Sequence, residues 1–313
     1  RRFEHQIPSV YNRPKVYYCP SWTHTWTYFN SNNLTVDLKE DPLGVVPRAL
    51  QGTALNTDAQ AYIDAVEASD GYIFTGPQKN AISDFFNALT TEGLSSKIKK
   101  LWLVGFSNEA ALRDVITPSE KEGWEDTPSA APAGAGFATY NNDARIEMDD
   151  KMAALGLANN DCGAFFAGTD MTQQASSYVS TYKVANEMMQ LKQDGSSPYP
   201  TYFRAGVNTY LSSTDHRQDG VFVASRKLNK VVMTRIYGGR VAQNTSSTQV
   251  TLGAVSDNSI YLWGDAANPT TKGNVSTVGI TFGLAYDEAE TLGGLLYDLC
   301  VGVGHTDLED TTE

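Results

Sequence analysis

Short stretches rich in Val, Ile, Thr, Tyr and Phe alternate with clusters of Gly, Asn, Asp and Ser through the second half of this 313-residue chain. Stretches of this length suit β-strands, and the clusters between them contain the residues that turns require. Many strands with turn signals at short intervals are typical of an antiparallel sandwich or barrel, and not of alternating β–α units. The candidate strands are residues 162–168, 178–183, 202–211, 220–225, 231–237, 249–252, 260–263 and 276–284, and residues 101–104 form a further candidate strand before this region.

Three helices are predicted to flank this β-rich region. Residues 57–68 can be capped by Thr57-Asp58, residues 79–92 have apolar side chains at helical spacing, and residues 287–300 can be capped by Asp287. The apolar side of the last helix is formed by Ala289, Leu292, Leu295, Leu296 and Leu299. We therefore expect a mainly β fold, an antiparallel two-sheet jelly-roll sandwich with a few flanking helices and an extended N-terminal segment.

The N-terminal segment, residues 1–50, differs in composition from the remainder. It has prolines at positions 8, 14, 20, 42 and 47, which exclude long helices. Exposed aromatic rings are costly in water and are enriched at protein–protein contacts. We expect residues 1–50 to attach the chain to a partner, residues 51–303 to form the jelly roll and residues 304–313 to be an acidic tail. The candidate partner contacts are Tyr17, Tyr18, Trp22, Trp26, Tyr28 and Phe29.

The order of several motifs resembles the concanavalin A-like (laminin-G-like) jelly-roll domains of tailed-phage virion proteins. The motifs are FFNALTTEGLSSKIKKLW at 85–102, GAFFAGTDMT at 163–172, GVFVASR at 220–226, IYGGR at 236–240, IYLWG at 260–264 and ITFGLAYDEAETLGGLLYDL at 280–299. The resemblance implies a virion structural protein, in capsid decoration, a head fibre or the tail and baseplate, that contacts other virion subunits, forms a homo-oligomer and lies on the particle surface. Host-surface adhesion is an additional role that it allows. Since lectins and glycan hydrolases share the fold, a carbohydrate-binding module or a jelly-roll glycan hydrolase is the alternative.

Charge and cysteine content exclude several functional classes. The formal net charge is −12, with no stripe of Lys and Arg that could bind phosphate backbones, so we expect no nucleic-acid partner. No apolar run is long enough for a membrane-spanning helix, and we expect no membrane partner. The three cysteines are far apart in sequence and are expected to be buried free thiols. Residue 1 is Arg, which is compatible with either processing or a longer product.

No catalytic or cofactor-binding residue is predicted. A jelly-roll glycosidase needs two carboxylates on one strand face, and Glu147 and Asp149 are the nearest candidates, but Lys151 takes the next position on that face. The glycine pairs are not phosphate loops, and the serine and cysteine residues lack the sequence context of nucleophiles. We expect no resident metal, although Asp215 and Asp219 with backbone oxygens could hold calcium. His305, in the polar tail, is expected to be solvated.

Aromatic side chains leave glycan binding open. Sugar rings stack on Trp and Tyr faces, although most such rings in a β fold pack in the core or at a subunit interface. The candidates are Trp22, Trp26, Tyr28, Trp124, Tyr140 and Trp263.

Overall fold

A computed structural model describes residues 54–121, 131–132, 138–141, 146–158, 160–170, 176–181, 189–193, 201–205, 211–212, 219–248, 259–262 and 272–309. The chain divides into two compact units, Arg1–Ala54 and Leu55–Glu313. The architecture below is that of the second unit. The six aromatic residues predicted to contact a partner lie outside the described residues.

The described residues form three α-helices, α1 at Thr57–Ser69, α2 at Gly76–Thr91 and α3 at Tyr286–Val303. The Asn56 side chain, and not the predicted Thr57-Asp58, caps α1, and α2 begins three residues earlier than predicted with a capping box formed by Thr75 and Gln78. Helix α2 ends at Thr91, and the chain leaves it through Gly93, which has the positive φ common just after a helix C-terminus. The two short 3₁₀ helices are Ala110–Leu112 and Thr306–Glu309.

The described residues form fourteen strands in two antiparallel sheets. The strands are β1 Ile98–Leu103, β2 Ala131–Pro132, β3 Ala138–Asn141, β4 Ile146–Lys151, β5 Asp161–Thr169, β6 Ser176–Ser180, β7 Met189–Gln193, β8 Thr201–Ala205, β9 Leu211–Ser212, β10 Gly220–Lys227, β11 Lys230–Tyr237, β12 Arg240–Thr248, β13 Ser259–Leu262 and β14 Lys272–Thr281. The eight-stranded sheet has the order β12-β11-β10-β5-β14-β3-β2, and β1 also pairs with β14. The six-stranded sheet has the order β4-β13-β6-β7-β8-β9.

The central strands of the eight-stranded sheet are buried on both faces. Alternate residues of a strand point to opposite faces, and in β5 Ala164 and Phe166 join the core shared with the six-stranded sheet. Phe165 and Ala167 of the same strand join a second core with the apolar sides of the three helices. This arrangement explains why β5, β10 and β11 have nearly continuous apolar sequences and not an alternating pattern.

The predicted fold class is confirmed: the chain is mainly β, with two antiparallel sheets packed as a sandwich and three flanking helices. Strands β2, β3, β4, β7 and β12 were not among the predicted strands, and the predicted strand at 249–252 lies outside the described residues. Helix α3 lies where it was predicted, but its N-cap is Ala285 and not Asp287, which lies in the first turn, and Leu295 is only half-buried. Cys162 and Cys300 are buried free thiols, as predicted, while Cys19 lies outside the described part.

The expectation of a solvated His305 is wrong. Residues 304–309 fold back on the domain, so that His305 and Leu308 are both fully buried. The backbone N–H of Gly238, in the β11–β12 turn, donates to the carbonyl of Leu308 at 3.1 Å. The polar sequence of residues 304–309 therefore did not predict that this turn is buried, because one Leu and one neutral imidazole are enough to anchor it.

Candidate functional site

The outer face of the six-stranded sheet has a row of polar side chains in register across four strands. Tyr261 of β13 pairs with Ser180 of β6, Ser180 pairs with Gln190 of β7, and Gln190 pairs with Arg204 of β8. In each of these strands an adjacent residue points inward. These residues are fully buried in the core between the sheets: Leu262, Val179, Leu191 and Phe203. We call Tyr261, Ser180, Gln190 and Arg204 the polar row.

The aromatic ring of Tyr202 and a second cationic side chain, Lys192, lie directly beside the polar row. Lys192 of β7 pairs with Tyr202 of β8, two positions from Gln190 and Arg204, so all four side chains project from the same face. Lys192 Nζ and Arg204 Cζ each lie 5.2 Å from the centroid of the Tyr202 ring. Both distances are within the range of a cation–π interaction, so the two cations flank one aromatic ring.

Burial varies along this surface. Ser180 and Gln190 are almost fully buried, and Tyr202 is 4% exposed, whereas Lys192, Arg204 and Tyr261 are half-buried. The surface thus combines hydroxyl, amide, guanidinium, ammonium and phenol groups without an apolar stripe. These groups donate and accept hydrogen bonds and stack against flat or sugar-like rings, but Gln, Ser and Tyr are poor proton donors and nucleophiles at neutral pH.

The calcium hypothesis gains no support from the side chains that are described. Asp215 lies outside the described residues, and the backbone carbonyl of Asp219 accepts a hydrogen bond from Arg235 Nε at 2.6 Å. Within the described parts of the chain, no group of three or more His, Cys, Asp or Glu residues is placed to hold a metal ion. Among those same residues, no helix is long and apolar enough to cross a membrane.

The carboxylates predicted for a hydrolase lie in β4. The backbone of Glu147 pairs with that of Tyr261, which places Glu147 at the end of the polar row, but the side chains of Glu147 and Asp149 are outside the described part. Asp150, between Asp149 and Lys151, contacts a lysine of the opposite sheet instead, with 3.4 Å between Asp150 Oδ2 and Lys100 Nζ. Trp22, Trp26, Tyr28, Trp124 and Trp263 lie outside the described residues, as does the side chain of Tyr140.

Sequence reasoning missed Gln190, Lys192 and Arg204 and counted Tyr202 only as part of a strand. The signal was present in two pentapeptides, MQLKQ at 189–193 and TYFRA at 201–205, in which polar and apolar residues alternate. Each peptide is short, and alternation alone does not tell which two strands pair. Only the register of β7 with β8 places the two cations on one ring.

A second polar group lies in the core beneath the closing turn. The Nε2 atom of His305 is 3.0 Å from Thr169 Oγ1, and its Nδ1 atom contacts Ser276 Oγ. Burial lowers the pKa of His305 to about 4, so the imidazole is neutral at pH 7. A serine next to a histidine is the start of a nucleophilic site, but Ser276, Thr169 and His305 are all fully or nearly fully buried, and the third member is a hydroxyl. We interpret this group as structural.

The described part of the chain defines a two-sheet antiparallel β-sandwich with a helical layer on one sheet. No protein-family model matches the sequence, and no curated protein matches it. Among solved structures, 34 chains match.

Three of these illustrate the matches. Domain 4 of AbnA, a GH43 extracellular arabinanase from Geobacillus stearothermophilus, in complex with arabinotriose, has a TM-score of 0.44 and 16% identity, covering 63% of this chain and 98% of that one. The Ruminococcus gnavus IT-sialidase CBM40 has a TM-score of 0.37 and 12% identity, covering 50% of this chain and 96% of that one. The botulinum neurotoxin serotype D binding domain has a TM-score of 0.39 and 8% identity, covering 63% of this chain and 51% of that one.

Proposed function

We propose that this chain is a non-catalytic carbohydrate-binding protein and that the outer face of its six-stranded sheet holds the glycan. The observation that carries the proposal is the polar row with the Lys192–Tyr202 pair beside it. Six polar or aromatic side chains on four neighbouring strands project from one face. A sugar offers many hydroxyl groups, and the half-buried guanidinium of Arg204, ammonium of Lys192 and phenol of Tyr261 are groups that can hydrogen-bond to them.

The architecture supports this choice of face. Both faces of the eight-stranded sheet are used for packing, one against the other sheet and one against the helices. The inner face of the six-stranded sheet packs in the core between the sheets, whereas the described outer positions of β6, β7, β8 and β13 are polar. Ser180 and Gln190 are almost fully buried, so the residues proposed to contact the ligand are the half-buried Lys192, Arg204 and Tyr261.

The proposal also covers the absence of catalysis. Hydrolysis of a glycosidic bond by this kind of fold needs two carboxylates on either side of the bond. We infer binding without turnover from the sequence pattern of β4, in which Lys151 takes the next position on the strand face of Glu147 and Asp149.

Glycan-array binding followed by calorimetry tests the proposal on the full chain. We expect at least one glycan to bind, and we expect Arg204→Gln and Lys192→Gln each to weaken binding about 10-fold, since each removes a charged hydrogen-bond donor worth about 1.5–3 kcal/mol. Lys99→Gln is the matched control, because Lys99 Nζ also lies over a ring, 4.0 Å from the Phe282 centroid, but on the other sheet. Binding that is unchanged in both test variants, or lost equally in the control, would contradict this assignment, as would the absence of any bound glycan.

A second candidate function, a virion structural component, rests on the motif resemblance and on the aromatic-rich N-terminal segment. The segment falls in a compact unit of its own, Arg1–Ala54. Attachment through residues 1–50 and glycan binding through the sandwich are compatible in one chain.

A further inference from the structure

The segment after β1 folds back along that strand and brings two charged side chains together in the interior. The backbone of Asp114 pairs with Trp102, and Val115 N–H donates to the Leu101 carbonyl at 2.7 Å. Lys100 and Trp102 share a strand face, so Asp114, opposite Trp102, lies diagonal to Lys100. The side chains of Lys100 and Asp114 are 3% and 0% exposed, and Lys100 Nζ lies 3.6 Å from Asp114 Oδ2.

The two oxygens of the Asp114 carboxyl have different surroundings. Oδ1 accepts hydrogen bonds from two backbone N–H groups, Leu101 at 3.1 Å and Ile116 at 3.0 Å. Oδ2 is fully buried, has no hydrogen-bond partner and lies on the side of the lysine. Two backbone N–H donors on one oxygen are the arrangement that stabilises a tetrahedral oxyanion during acyl transfer.

The Glu120 carboxyl is a third group at this site and is placed to exchange protons with Lys100 Nζ. The Oε2 atom of Glu120 is hydrogen-bonded to Lys100 Nζ, and Glu120 is held near Asp114 because Asp114 N–H donates to the Glu120 carbonyl at 3.3 Å. The Glu120 side chain is 48% exposed, so it can exchange protons with water. Asp150 Oδ2 is a further carboxylate near this amine, at 3.4 Å.

We propose that Lys100 and Asp114 form an intramolecular amide bond between Nζ and Cγ, which covalently joins β1 to the segment that follows it. Glu120 takes a proton from the Lys100 ammonium, and the free amine attacks Cγ of the protonated Asp114 carboxyl. The negative charge develops on Oδ1, between the two backbone N–H groups. Glu120 returns its proton to the Oδ2 hydroxyl, which leaves as water, and then takes the second proton from the nitrogen and releases it to solvent. The Lys100 ammonium and the protonated Asp114 carboxyl become one amide, one water molecule and one released proton, with no oxidant or reductant.

Two physical arguments support this reaction at this pair. Burial raises the pKa of Asp114, which favours the carboxylic acid form that an amine can attack. A buried ion pair also has a large desolvation cost, and an amide removes both charges while Oδ1 keeps its two hydrogen bonds.

The chain contains a contrasting pair that should stay ionic. Asp70 is equally buried, but Arg113 binds it through two nitrogens, with Arg113 Nη2 3.0 Å from Asp70 Oδ1, and Lys121 also reaches it. The hydrogen bonds of Arg113 and Lys121 outweigh desolvation and hold the pKa of Asp70 below its usual value. That carboxylate therefore stays charged, and amines do not attack carboxylate anions.

Mass spectrometry of the intact full chain tests the bond. We expect a mass lower than the sequence mass by one water molecule. Trypsin should release a branched peptide in which residues 100–113, uncut at Lys100, are joined to residues 114–121. Lys100→Arg should restore the full mass. Glu120→Gln, a change at a half-exposed side chain, should also restore it without preventing folding, as checked by a cooperative thermal melt.

Glu109→Gln is the matched control, because Glu109 is an exposed carboxylate that contacts Lys121 and not Lys100. It should retain the mass deficit. A wild-type chain with the full sequence mass overturns the proposal, and so does a deficit that persists in Lys100→Arg. A deficit that persists in Glu120→Gln overturns the role of Glu120 as the proton carrier.

Discussion

Single buried polar residues account for several features that sequence patterns did not predict. Lys100, Asp114 and His305 are all buried, although Lys and Asp are among the residues least often found inside proteins. Each has specific partners at hydrogen-bonding or ion-pair distance, which is the usual condition for burying such groups. The sign of each pKa shift then follows from whether burial or the partners dominate.

His305 makes the stability of the domain depend on pH in acid. Its folded pKa, about 4, is below the ordinary value of 6.5, so between these values the unfolded chain binds a proton that the folded chain does not. Stability is therefore fully present above about pH 6.5 and falls as the pH drops towards 4, by roughly 3 kcal/mol in total. Denaturant titrations at several pH values measure this loss.

The imidazole is the only group changed in His305→Gln, which should flatten the pH dependence in that window. Thr169→Ser is the control, since it keeps the hydroxyl that lies 3.0 Å from Nε2. It should retain the dependence. If the free energy of unfolding of His305→Gln depends on pH as in the wild type, groups other than His305 cause the loss of stability in acid.

Helix α3 packs closely against the eight-stranded sheet because residue 293 of the helix is a glycine and has no side chain. A Cβ atom at Gly293 would lie 2.9 Å from Ile236 Cγ1 of β11, whereas one at Gly294 would meet no atom within 4 Å. Two adjacent glycines therefore have different roles. The first allows the close approach of helix and strand, and the second has no packing role in the described contacts.

Substitution of these glycines gives a matched pair of predictions. Gly293→Ala should destabilise the domain by about 1–3 kcal/mol, because the helix must move away from β11. Gly294→Ala should stabilise it by about 0.5–1 kcal/mol, since alanine is the better helix former. Urea unfolding monitored by circular dichroism compares the two variants directly. Equal effects of the two substitutions would mean that the α3–β11 contact is not tight.

The two sheets of the whole sandwich differ in which of their faces pack. The helices cover one face of the eight-stranded sheet, and the described outer positions of the six-stranded sheet are polar.

Deletion of residues 1–50 tests the proposed attachment through that segment. Those residues have too many prolines to form a core alone, and the second compact unit begins at Leu55. The truncated chain should remain soluble, unfold cooperatively and keep its glycan affinity, but fail to enter particles in a complementation assay. Aggregation of the truncated chain would show that the segment belongs to the domain core and would rule out its role as a docking arm.

The sequence alone determined the fold class, the three helices and the central strands β5, β10, β11 and β14 of the eight-stranded sheet. Those elements have strong local signals: continuous β-branched and aromatic runs such as 220–225, and helical spacing of Leu292, Leu296 and Leu299. Their structure follows from neighbours within a few residues, which a sequence displays directly.

The tertiary structure alone decided which side chains meet. Gln190 and Arg204 are fourteen positions apart, Thr169 and His305 are far more distant, and Lys100 reaches Asp114 only because the segment after β1 turns back. Such contacts depend on strand register and on how loops close, and a shift of one residue would move every side chain of a strand to the other face. The polar row, the buried histidine and the Lys100–Asp114 pair are therefore properties of the assembled fold, which no local pattern contains.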